Sequence, residues 1–399
     1  MFWAILAISS HLVFIPGLYD GHTPVKTMFV IGLGLMAWIH CMVSFSNKTM
    51  LIGYTDISKN ETLIYSAIFI YLLLSNLGIY GVINWNLFID RIALEIACFG
   101  IFLAIASSSI TTKKLAAIGS AAFVIFLLLI VSTGISWPNN LTFTIDVGAM
   151  GNTAFMSIAV AQLLPLAAMS AFCLGSYVWL IAILILMIPF LNNSTAALIG
   201  GGGAFLIILS YMFWRNGRVL SQYLVLSFII CLPVIFLCLV LFGLHLQSGL
   251  QHRSITWRNS LEMVKAHPLG IGIGQFEIKY PKYANSIHKD KEMHVQYDVH
   301  RKQVVRDPHN DLLLRLVERG IAGVIAWLAL LFLIVYRPID YDSIEGCLAT
   351  ALLVTLAIGV LYFPLSHPSM AATFWASAGL YWSYNKSWVN TESALSLHL

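Results

Sequence analysis

Residues 311–336 read DLLLRLVERGIAGVIAWLALLFLIVY. All four charges of this stretch, Asp311, Arg315, Glu318 and Arg319, fall in its first nine positions, and none follows as far as Tyr336. A bilayer core of ~30 Å needs about 20 apolar residues per helix. The stretch therefore reads as a membrane span with its ionisable groups at one end. Of the 399 residues, 59% are hydrophobic and 10% are charged, against about 25% charged in a soluble domain. That apolar fraction exceeds what a globular core can bury, and the mean hydropathy of +0.83 agrees. The composition excludes a soluble enzyme, a disordered chain and a secreted disulfide scaffold.

Runs long enough to span recur at 2–18, 26–46, 62–80, 92–110, 115–135, 153–173, 176–191, 196–213, 219–245, 311–336, 344–363 and 368–384. Backbone groups in lipid must be satisfied within the segment, so these runs are expected to be helices. They lack the alternation of a membrane barrel. The six cysteines (Cys41, Cys98, Cys173, Cys231, Cys238 and Cys347) all sit in apolar runs without CxxC spacing, as buried small hydrophobes do. The opening MFWAILAISSHLVF has neither a basic leader nor a small-residue cleavage site and reads as a first span.

Basic residues in short loops set the orientation. Lys48, Lys59, Lys113, Lys114, Arg215, Arg218, Arg337 and Lys386 all fall on one side of a twelve-span chain, whereas the opposing short loops hold only Lys26, with Arg91 close to a helix start. Both ends are then cytoplasmic. The expected organisation is spans 1–9 over residues 1–245, a periplasmic loop over 246–310, spans 10–12 over 311–384 and a cytoplasmic tail over 385–399. No internal repeat of the kind found in many transporters is visible, and Gly200–Gly203 reads as a close helix contact.

The long loop departs from the charge pattern. It holds ten basic residues, six acidic residues and six of the twelve histidines, which suggests an anionic ligand. A net charge of +4 is too small to imply nucleic acid. Residues 253–266 predict an amphipathic helix at the membrane, with Arg253 and Arg258 in its first two turns. Pro268 ends it, and Gly270, Gly272 and Gly274 then allow positive φ and close backbone approach. This GxGxG follows no parallel strand and so is not a dinucleotide fingerprint. Residues 279–310 read as a polar loop rich in Tyr, Lys and His. Asn310 or Asp311 is the expected N-cap of the next span, which puts His309 at its mouth. Asp311, Arg315 and Glu318 or Arg319 are spaced to pair along one helix face. Ionisable groups within a span point to function, and His309 is a candidate general base. His288, His294 and His300, spaced by six, fit no short metal motif, so no metal or other cofactor is expected.

The stretch Arg253…Trp257…Leu261…His267-Pro268-Leu-Gly270-Ile-Gly272-Ile-Gly274-Gln275-Phe276, followed by His309-Asn310…Leu314…Glu318-Arg-Gly320-Ile-Ala-Gly323, resembles the O-antigen ligase / O-antigen polymerase superfamily, including its O-linked protein oligosaccharyltransferase branch. Gly151-Asn152 is similar to a further element of that family. The resemblance implies a GT-C-like membrane glycosyltransferase in the bacterial inner membrane. It would move a glycan from undecaprenyl diphosphate to lipid A core, to another glycan or to a protein, on the periplasmic face. On this reading His309 and Arg253 are catalytic. Arg258, Arg306, Arg315 and Glu318 join them at the substrate, with Gln275, Tyr280 and Tyr283 on the sugar. A further family arginine has no counterpart in the matching stretch Asn192-Asn193-Ser194-Thr195-Ala196. A transporter or flippase of a lipid-linked or anionic solute is the alternative of another class. Charges gathered at one end of the bundle, with few along a midplane path, argue against it.

Overall fold

The computed structural model describes residues 1–13, 23–52, 59–108, 110–132, 153–174, 201–204, 247–287, 305–335 and 343–396. The expected spans at 176–191 and 219–245, most of the one at 196–213, the stretch 192–196, Gly151-Asn152 and the His288/His294/His300 trio lie outside these residues. Within them the chain is helical and contains no strand. The helices are α1 (Phe2–Ser9), α2 (Thr23–Ile52), α3 (Lys59–Ser75), α4 (Trp85–Ala106), α5 (Thr112–Ser132), α6 (Thr153–Leu174), α7 (Gln247–Ala266), α8 (Phe276–Ile287), α9 (Asp311–Val335), α10 (Ser343–Gly359) and α11 (Pro368–Ser396). Short 3-10 turns occupy Ser10–Leu12, Leu77–Gly81 and Pro364–Ser366.

Among the described residues, five stretches are long and apolar enough to cross a membrane: Pro24–Ser44, Thr62–Gly81, Thr112–Val131, Ala154–Leu174 and Asp311–Val335. Phe2–Leu12 and Ile344–Gly359 are shorter apolar helices. The fold is thus that of an α-helical polytopic membrane protein.

α4 and α11 form the middle of the bundle. α4 is buried almost without interruption from Leu94 to Ala106, and so is α11 from Met370 to Tyr384. Phe99 and Phe102 of α4 meet Trp375 of α11 edge to face, with centroids 4.7 and 5.9 Å apart. α2 crosses α4 closely because Gly100 lies against the Gly34 carbonyl and the Trp38 ring, and small residues permit such approach. The outer helices keep apolar faces outward. On α9, Ile321, Ile325, Leu328 and Phe332 are exposed at helical spacing, a face suited to lipid.

Two sequence expectations are corrected here. Residues 279–287, read as loop, belong to α8. Phe276 and Tyr280, one turn apart, stack at 5.1 Å and are buried in a small core with Met263, Ile271 and Val317, and that burial offsets the weak local preference and Pro281. The charges of α9 do not pair along their own helix. Arg315 and Arg319 both reach Glu95 on α4, because a buried guanidinium needs a carboxylate at close range.

Candidate functional site

The two halves of the sequence motif form one joint. Gly320 takes φ 72° and ψ −176° inside α9, a conformation open essentially to glycine alone. The break interrupts the helical ladder. The loop after α7 supplies replacement partners: Ile271 N donates to the Val317 carbonyl and Gly272 N to the Glu318 carbonyl, both at 3.0 Å, while Ile321 N donates to the Pro268 carbonyl at 3.0 Å. The fit needs glycine on both sides. A side chain at Gly270 would strike the backbone of Glu318, Arg319 and Gly320, and one at Gly320 would strike Pro268, Leu269 and Gly270. Gly270, Gly272 and Gly274 have φ of 94°, 100° and 75°.

His309 sits at the mouth of α9. Its backbone has φ 53°, uncommon for a residue other than glycine. Asp307 holds it there: Oδ1 accepts the His309 N–H at 2.9 Å and lies 3.2 Å from ring Nδ1. Trp257 Nε1 donates to the Pro308 carbonyl at 2.7 Å, tying this turn to α7. The imidazole lies edge-on to Tyr362 and Phe363, with centroids 5.8 and 5.4 Å away. Asn310 is the N-cap, its Oδ1 accepting Leu313 N at 2.8 Å. Asp311, which the spacing left as the other candidate, instead accepts Leu365 N at 2.9 Å and receives the Ser366 hydroxyl at 3.4 Å. Among the described residues, His309 Nε2 has no hydrogen-bond partner.

Asp307 is the electrostatic hub. Burial pushes its carboxyl above the usual carboxylate range, against the opposing pull of His309, Arg91 and Arg306. Arg253, half buried on α7, is lowered by burial and held up in part by Tyr362 and Asp307. His309 contacts this carboxylate directly, and the charges of Arg253 and Arg306 act on it. Arg258 is exposed on α7, with no contact to this group among the described residues.

Below the mouth opens a small cleft whose polar lining comes from Arg91, Glu95, Arg315, Glu318, Arg319 and Ser366. Arg315 Nη1 donates to Glu95 Oε1 at 3.1 Å and to the Tyr71 hydroxyl at 2.8 Å, and Arg319 Nη1 donates to Glu95 Oε2 at 2.7 Å. The Arg315 guanidinium also lies over the Trp327 ring at 4.7 Å. Glu318 accepts the backbone N–H of Phe276. Both Arg315 and Glu318 thus line the cleft.

The three residues assigned to sugar are placed elsewhere. Gln275 is fully buried; its Oε1 accepts Ile83 N and Asn84 N at 2.9 Å, and its Nε2 donates to the Asn84 carbonyl at 2.9 Å. Tyr280 is buried and its hydroxyl accepts from Asn259 at 3.1 Å. Tyr283 packs toward His267, with ring centroids 6.4 Å apart. Sequence reasoning passed over Glu95, Asp307 and Arg91 as site residues. Asp307, two positions before His309, carried the one local signal, since Asp–x–His spacing allows a carboxylate to hold the histidine backbone.

The glycine loop, the carboxylate-held histidine and the α9 side of the arginine cleft fall within the stretch covered by the family comparison, whereas the α4 side, with Arg91 and Glu95, and Ser366 lie outside it. Residues 180–328 match the family model of O-antigen ligase. No curated protein and no solved structure matches the chain. The match spans α7, α8, the His309 turn and α9 past the Gly320 break. Members of the O-antigen ligase family are membrane glycosyltransferase-like enzymes of ligase or polymerase type, acting on lipid-linked glycans.

Proposed function

We propose that this protein is an O-antigen ligase-like glycosyltransferase that moves a glycan from undecaprenyl diphosphate to lipid A core at the periplasmic face of the bacterial inner membrane. The observation that carries the reading is His309 fixed by Asp307 at the membrane end of α9, beside Arg253 and above the arginine-lined cleft. An acceptor hydroxyl attacks the anomeric carbon, the bond from that carbon to the diphosphate oxygen breaks, and the hydroxyl proton passes to His309 Nε2. Asp307 on the Nδ1 side stabilises the imidazolium that forms. The leaving diphosphate gains negative charge as the bond breaks. Guanidinium groups preorganised in a poorly hydrated site stabilise that charge, commonly the largest catalytic contribution in such sites. Arg253 and Arg306 supply it at the mouth and Arg315 in the cleft. The organisation that goes with this reading is twelve spans, both ends cytoplasmic, with 246–310 as the periplasmic loop.

The test is H309A in membranes supplied with lipid-linked glycan. Transfer is expected to fall about 10²- to 10⁴-fold, the usual contribution of a general base. Wild-type transfer at normal protein level refutes the assignment. In a deletion strain, lipopolysaccharide is expected to lose all O-chain. A single repeat left on the core marks a polymerase instead, and an unchanged ladder points to protein or other glycan acceptors.

A further inference from the structure

The cleft holds three guanidiniums but commits only two of them internally. Arg315 and Arg319 are bound to Glu95, and both are buried. Arg91, on the second turn of α4, is exposed and lines the same cleft. Its Nη1 donates to the Ser366 carbonyl at 2.9 Å, and among the described residues it forms no salt bridge. A guanidinium has five N–H donors, and one bond to a neutral carbonyl leaves the fork available. Glu95 and Glu318 are the acidic residues of the lining. Within the lining three guanidiniums face two carboxylates, and Asp307 and Asp311 stand just outside it. Arg91 also belongs to the hub above, since its charge acts on both Asp307 and Glu318.

The surroundings of Arg91 say what kind of anion suits it. Ile83, Trp85 and Ile89, on the chain leading to it, are exposed, as is Tyr80 in the preceding turn. An outward guanidinium beside an apolar and aromatic edge suits a molecule with an anionic head and an apolar tail. A freely diffusing phosphate has no use for that edge.

We propose that Arg91 binds the diphosphate head of the lipid-borne substrate, gripping it from α4 across the cleft from α9. This rests on the donor reading given above and adds to it a residue from the first third of the chain. Ser366 holds the guanidinium at the lip, and the paired Arg315 and Arg319 supply the positive background behind it.

The experiment uses the full chain in detergent, titrated with farnesyl diphosphate and, in parallel, with inorganic pyrophosphate, with thermal stabilisation as the readout. Farnesyl diphosphate is expected to stabilise the wild type at lower concentration than pyrophosphate. R91Q, which keeps a donor for Ser366 but loses the charge, is expected to bind roughly ten- to a hundredfold more weakly, as loss of a charge-assisted contact implies. A second measurement needs no variant: farnesyl diphosphate should protect Arg91 of the wild type from phenylglyoxal, read by peptide mass spectrometry. Equal binding by R91Q, or modification of Arg91 unaffected by the probe, overturns the role of Arg91 while leaving the donor reading standing. Equal affinity for the two probes overturns the lipid-borne part. A wild type that binds neither probe overturns the donor reading itself.

Discussion

The joint at Gly320 offers the sharpest test, through G320A. At φ 72° and ψ −176°, an alanine held in place carries strain of about 1–3 kcal/mol. Its Cβ would also meet the backbone of Pro268, Leu269 and Gly270, which has no flexible end to move aside. The alternative is that α9 straightens. Alanine favours helix over glycine by about 1 kcal/mol, and the straightened helix would take back the Val317 and Glu318 carbonyls. Ile271 N and Gly272 N would then lose their acceptors, and the Pro268 carbonyl would lose Ile321 N. At about 0.5–1.5 kcal/mol per hydrogen bond, the glycine loop loses roughly 3 kcal/mol of its docking, whatever bonds the helix regains within itself. Either route undocks the glycine loop and shifts Arg315 and Glu318 relative to His309. Hydrogen exchange by mass spectrometry on the detergent-solubilised protein reads this directly. The amides of Ile271 and Gly272 are expected to exchange about a hundredfold faster in G320A, since about 1.4 kcal/mol corresponds to a factor of ten. Glycan transfer should fall with them. Unchanged protection over 268–274 together with wild-type transfer would show that the glycine loop and the helix break do not depend on each other.

Removing the shared carboxylate by E95Q leaves two buried guanidiniums without their counterion; a loss of about 3–5 kcal/mol is expected, visible as a lower melting temperature, and a wild-type melt contradicts it. D307N keeps an acceptor for the His309 N–H but removes the charge beside Nδ1, so transfer should drop by up to about a hundredfold. The same variant has a signed pH signature. Because burial raises the Asp307 carboxyl in the folded protein, the folded state keeps its proton to higher pH than the unfolded state does, and that share of stability is present in acid and lost as pH rises through the raised value. D307N is therefore expected to melt above the wild type at neutral pH and to converge with it in acid; parallel pH–melting curves would contradict this. W257F cuts the 2.7 Å bond to the Pro308 carbonyl, at a cost of about 1 kcal/mol in stability, and should lower the transfer rate more than it lowers donor affinity; equal losses in both would assign Trp257 to binding.

Residues 311–336 show what local sequence can determine. Segment length against bilayer thickness, and the need to satisfy backbone groups internally, specify helices without reference to any neighbour. The same holds for the amphipathic α7, for the cap at Asn310 and for a histidine at the mouth of a span, since each depends on residues a few positions apart. What the tertiary structure decided lies between segments distant in sequence. Arg315 and Arg319 had permissive spacing on their own helix, yet their carboxylate is on α4, more than two hundred residues earlier. Gln275 looked like a polar side chain available to a sugar until Ile83 and Asn84 consumed it. The alternating glycines read as a local turn and Gly320 as part of a span, and only in contact do they prove to be two faces of one joint. The physical reason is common to all three. A buried charge, amide or interrupted helix end must find a partner at close range, and which partner is near is a property of the packed bundle that no sequence window contains.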